Sequence, residues 1–345
     1  MTDIPFDGTP ATLDICSRDP ARVKAQRKIC TLDLHCPITW ATMHYLPNFA
    51  GNAVYLGCFA ILLLGQLWFG FRHKTWKYMV CVSIGIIGEM VGYFGRLLYN
   101  KNPFPLRNFL MNLVPLTLAP ALLTAGIYLC LGRVITAVGS EHSRLKPKLY
   151  TIIFIGCDLL SLILQAIGGY LASTADTKED SDVGVKVMIA GLVSQVVSMI
   201  LFLGIWGDFI FSVRKAKISG NLLRTQPPLY ANLRSRPSFS WFQWSLFVAT
   251  ALIFIRCVYR VAELWGGFDS YLANHELTFM IFEGPLIISA AAAMTIFHPG
   301  RIFGDLWVPA GLGVRSSKGF DGEDGSTVNL TEPAQWKSQT AYHRV

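Results

Sequence analysis

The sequence predicts an all-α polytopic membrane protein of seven transmembrane helices, and three observations carry that prediction. Apolar residues make up 52% of the chain and charged residues only 15%, against about 25% charged in soluble domains. The apolar residues gather into repeated runs of roughly twenty, the length a helix needs to cross a ~30 Å hydrocarbon core. Polar connections of nearly regular length separate the runs, where a β-barrel would show short alternating segments. With no water in lipid to satisfy exposed backbone, such runs must be helices.

The spans fall at about 48–70, 77–98, 108–132, 150–172, 185–212, 241–263 and 277–297. The first follows a tail that opens with acidic and small residues and has no apolar core of a cleaved signal, so this span itself inserts the tail. The second, IGIIGEMVGYFGRLL, sets Gly85, Gly88, Gly92 and Gly95 three and four apart, with Glu89 and Arg96 seven apart beside them. That is one helix face, and small residues on it let another helix approach closely. The fourth, FIGCDLLSLILQAIGGYL, puts Asp158 and Gln165 seven apart. The fifth leads into the most basic connection. In the sixth, Arg256, Arg260 and Glu263 make one stripe rising toward the helix end, and Arg256, the deepest, calls for a carboxylate partner. In the seventh, Glu283 precedes Gly284 and Pro285, where a broken helix frees carbonyls beside a carboxylate.

Charges that lipid rejects, at ~2.5–3.5 kcal/mol or more each near the bilayer centre, mark function by default. At 1.5 Å per residue, Glu89, Arg96, Gln165, Arg256 and Glu283 reach the middle or outer half of the membrane, where they can line one polar cavity. The bland alternatives are a buried Glu89–Arg96 ion pair, and Arg260 and Glu263 snorkelling to the interface, above all Glu263.

Short-loop lysines and arginines set orientation. Arg72, Lys74 and Lys77, then Arg144, Lys146 and Lys148, then Arg214, Lys215, Lys217, Arg224, Arg234 and Arg236 occupy the odd-numbered loops, whereas the sixth loop has no basic residue. The N-terminus is therefore expected outside and the C-terminus in the cytosol. The reading divides the chain into an outer tail (1–47), a transmembrane domain (48–298) and a disordered cytosolic tail (299–345). Cys16, Cys30 and Cys36 lie in the outer tail, where one pair could close a disulfide or all three remain thiols. Cys58, Cys81, Cys130, Cys157 and Cys257 read as small packing residues. The sequon at Asn329 would be unusable on the cytosolic side.

Five blocks resemble a known family: EMVGYFGRL, LAPALLTAGIYLCLGRVI, CDLLSLILQAIGGY, IRCVYRVAELWGG and HELTFMIFEGPLI with a closing FHPG. In this order, over about residues 48–300, they are similar to the fungal RTA-like lipid-translocating exporters. Glu283 stands where that family often has an aspartate. The resemblance implies a plasma-membrane or vacuolar protein that moves sphingoid long-chain bases across the bilayer and contributes to tolerance of membrane-active compounds.

The physics of such a cargo agrees. A long-chain base has a cationic amine on an apolar tail, so Glu89, Asp158 and Glu283 are the expected head-group acceptors, with Arg96 and Arg256 compensating them when empty. No GxxxxGK[ST] loop is present to cradle nucleotide phosphates, and no cofactor is expected. A seven-span receptor or regulator of other flippases is the alternative, with a cytosolic partner at the basic fifth loop; self-association stays open. A zinc hydrolase is disfavoured because His35, His44, His73, His142, His275, His298 and His343 all fall in tails, loops or span ends.

Overall fold

A computed structural model describes residues 43, 45–175, 178–220, 226–267, 270–272 and 274–312. The three tail cysteines and Asn329 lie outside them. Among the described residues every regular element is helical, and seven stretches are long and apolar enough to cross a membrane. The protein is an integral membrane protein.

Helix α1 (Phe49–Arg72) starts at Asn48, whose side chain accepts from the Gly51 N–H at 2.9 Å; this satisfies one of the donors a helix start leaves unpaired. Helices α2 (Trp76–Lys101) and α3 (Leu106–Val138) follow. Helices α4 (Pro147–Thr174) and α6 (Pro237–Leu264) each open with proline, whose missing N–H costs nothing at a first helical position. Helix α5 (Lys178–Ile218) runs 41 residues, well past the expected 185–212. The seventh span divides as its Glu-Gly-Pro sequence predicts, into α7 (Glu276–Phe282) and α8 (Gly284–Ile296).

Helix α3 is the most buried of the spans and α1 the least. The closest pairings are α2 with α3 and α4 with α5, while α8 packs on α6 and α1. The glycine face of α2 makes the first pairing possible: a Cβ on Gly95 would come within 2.7 Å of the Asn112 amide nitrogen. Because α3 of the same chain fills that face, it is not a free surface for a second copy.

The stretch after residue 298, expected to be a disordered tail, is partly helical over its described residues 299–312. Pro299–Phe303 and Trp307–Leu312 are short helices, and Phe303 of the first and Trp307 and Ala310 of the second are buried. His298, at the end of the seventh span, caps the next helix, its Nδ1 accepting from the Gly300 N–H at 3.1 Å.

Candidate functional site

A polar core sits where α2, α3, α6 and the α7–α8 break meet. Its construction begins with a proline inside α3 and the Gly284-Pro285 break of the seventh span. Pro120 has no N–H to offer the carbonyl four residues back, so the Leu116 carbonyl of α3 is open, and the Arg256 Nη2 of α6 donates to it. The same Nη2 bonds the Glu283 Oε1 at the break. Arg256, only 1% exposed, is thus fixed by a freed carbonyl and a carboxylate from two other spans. The break also opens the Met280 carbonyl, which accepts from the Tyr55 hydroxyl of α1 at 2.9 Å.

One turn along α6, Arg260 donates through Nη1 to the Glu263 Oε2 at 2.5 Å, and its Nε lies 3.9 Å from the Glu283 Oε1. Glu263 does not snorkel: both members of this pair are buried, because the stripe turns toward α2 and α3 and away from lipid. Arg96 of α2 has no carboxylate within ion-pair distance among the described residues. Its Nε donates to the Asn52 Oδ1 at 2.9 Å and its Nη2 to the Tyr45 hydroxyl at 3.2 Å, and the Phe279 ring covers the guanidinium at 3.8 Å. The Glu89–Arg96 pair of the bland alternative is therefore absent, and Arg96, expected to compensate the carboxylates, pairs with none directly; a cation–π face and neutral oxygens hold it.

Glu89 stands apart. It is fully buried, within electrostatic reach of Arg256, Glu283 and Arg260, yet neither carboxylate oxygen has a hydrogen-bond partner. The Glu283 Oε2, the Arg96 Nη1 and the Asn112 Oδ1 are likewise unpartnered. Buried polar atoms normally find partners, so these four residues are the candidates for contact with a ligand. Arg96, Asn112, Arg260 and Glu263 line a cavity of about 20 Å³, with Leu116 and Phe279 among its apolar walls; Glu89 and Glu283 are not part of its lining. That volume holds about one water.

Two expected members lie elsewhere. Asp158 forms a separate node on α4, its Oδ2 accepting from the Thr124 and Tyr128 hydroxyls, each at 3.0 Å. Cys257, beside Arg256 in sequence, is within electrostatic reach of both nodes. Gln165 turns to α5, donating to the Gln195 Oε1 at 3.1 Å. Asn52, Asn112 and Tyr45 belong to the core and escape sequence reading because neutral polar residues are common in apolar helices; Pro120 is the signal that could have pointed to Leu116. Among the described residues no group of three or more His, Cys, Asp or Glu is placed to hold a metal ion.

What the arrangement can do chemically follows from its charges. Three carboxylates and three guanidiniums are buried in a water-poor interior, and a cationic head group entering beside Glu89 would meet a carboxylate with every lone pair open. Comparison with known proteins bears on which head group. Residues 82–305 match the family described as RTA1 like protein. The sphingoid long-chain base transporter RSB1 of Saccharomyces cerevisiae (strain Lalvin EC1118 / Prise de mousse) is 36% identical over 280 residues, covering 75% of this chain and 73% of the relative. Protein RTM1 of Saccharomyces cerevisiae is 28% identical over 68% of this chain and 71% of its own. Protoporphyrin uptake protein 1 of Saccharomyces cerevisiae (strain ATCC 204508 / S288c) is 29% identical over 65% of this chain and 68% of its own. No solved structure matches the chain.

Proposed function

Because the chain belongs to the RTA1-like family, we propose that it moves amphiphiles with a cationic head, sphingoid long-chain bases or close analogues, from one leaflet of the membrane to the other. The relative named as a sphingoid long-chain base transporter supports a lipid-transport role in the family. The observation in this molecule that carries the reading is Glu89, a fully buried carboxylate with both oxygens free near Arg256, Glu283 and Arg260. A buried carboxylate without hydrogen bonds is costly, and an ammonium with hydroxyls would supply the donors it lacks. Glu283 is the second acceptor, released when Arg256 falls back on the Leu116 carbonyl. Asp158, in its own node toward α4, is the next acceptor along the path.

The same reading locates the protein in the plasma or vacuolar membrane and makes tolerance of membrane-active compounds a consequence of lipid movement. A second reading, a lipid-sensing regulator without transport of its own, is favoured by one observation: the cavity of the polar core has room for about one water.

Binding tests the site. The purified chain in nanodiscs should take up a fluorescent long-chain base in preference to its N-acylated, uncharged counterpart, and Glu89→Gln should weaken that uptake at least tenfold. Equal uptake of charged and uncharged lipids, or an unaltered Glu89→Gln variant, would remove Glu89 from the path.

A further inference from the structure

At the end of the bundle where the first and third loops lie, a groove of about 650 Å³ opens between the start of α2, the end of α3, the start of α4 and the last short helix. Lys77, Arg133, Lys146 and Lys148 line it, and no acidic residue does. None of these four cations has a carboxylate within ion-pair distance among the described residues. Arg133 is held in place without one: its Nε donates to the Trp307 carbonyl at 3.2 Å and its Nη1 to the Leu129 carbonyl at 3.0 Å, with the Trp307 ring 3.6 Å from the guanidinium carbon. The opening of α4 at Pro147 adds the positive end of a 28-residue helix. Below the cations, the wall continues as Leu149 and Ile152, both exposed on the outer face of the bundle.

We infer that this groove binds a phosphorylated anionic membrane lipid, its head group among the four cations and its chains along Leu149 and Ile152. Charge complementarity decides the occupant. Basic pockets between spans at a membrane surface suit lipid heads that carry several negative charges, whereas the amine of a long-chain base is repelled. An apolar wall running from the cations onto the lipid-facing surface suits a lipid better than a free phosphate. The site is thus distinct from the polar core and stands whether or not the core transports anything.

The test uses the full-length purified chain and native mass spectrometry, challenged with phosphatidylinositol bisphosphate, phosphatidylserine and phosphatidylcholine. The bisphosphate lipid should be retained at least tenfold over phosphatidylcholine. The variant Lys77→Ala/Lys146→Ala/Lys148→Ala, which alters exposed side chains only, should lower that retention roughly a hundredfold, at about fivefold per lysine. Arg214→Ala/Lys217→Ala, a basic pair lining another groove at the same end, should change it less than twofold. Equal retention of all three lipids, equal losses in the two variants, or displacement by soluble inositol trisphosphate as effective as by the lipid would each overturn the inference.

Discussion

Arg256 and Glu283 form the hinge point of the polar core, and the two glutamates beside Arg256 should respond differently to neutralisation. Glu283→Gln strands a buried guanidinium, and breaking such a pair costs about 3–5 kcal/mol, expected as a fall of several degrees in the melting temperature of the detergent-solubilised protein. Replacing both partners, Arg256→Met with Glu283→Leu, should cost less than Glu283→Gln alone; an additive loss would mean that the pair is not the unit. Glu89→Gln removes no hydrogen bond, and the relief of burying a charge offsets the lost attraction to Arg256, so stability should stay within about 1 kcal/mol. The charged residues themselves were legible in the sequence because lipid rejects them. Their partners were not: a seven-residue spacing places Asp158 and Gln165 on one face of α4, but one points to α3 and the other to α5, and spacing says nothing about which neighbour a face meets.

Helix breaks and close approaches set the geometry at the scale of elements. Gly95→Ala would push a methyl into the backbone of α3 at Met111 and Asn112, where neither helix backbone can yield, so a loss of about 2–3 kcal/mol is expected. Gly156→Ala on α4 meets nothing within 4 Å and should be neutral or gain up to about 1 kcal/mol from helix propensity. Thermal unfolding of the two variants side by side checks both; equal effects would show that the glycine face is not a packing surface. The α2 face and the break at Gly284-Pro285 could be read from the sequence because glycine spacing and proline act locally. The helices after Pro299 could not be read as easily, since each is a turn or two long and Gly304, at φ 53°, separates them.

Across the whole molecule, the seven-helix class was legible because a bilayer fixes the length of a span and forbids the alternatives. The arrangement of the helices was not, since spans apolar on all sides carry no contrast between an inward and an outward face; the central position of α3 emerges only from packing. The orientation is open to a direct check: a sequon placed in the N-terminal tail should be glycosylated during membrane insertion in cells and Asn329 should not, and the reverse pattern would invert the topology. The central claim is that this chain itself carries lipid past Glu89. The most direct measurement is leaflet exchange of a labelled sphingoid base in liposomes containing only the purified protein, beside Glu89→Gln/Glu283→Gln. Exchange well above empty liposomes, lost in the double variant, is the predicted result; exchange no faster than in empty liposomes would contradict it and leave the polar core as a sensing site.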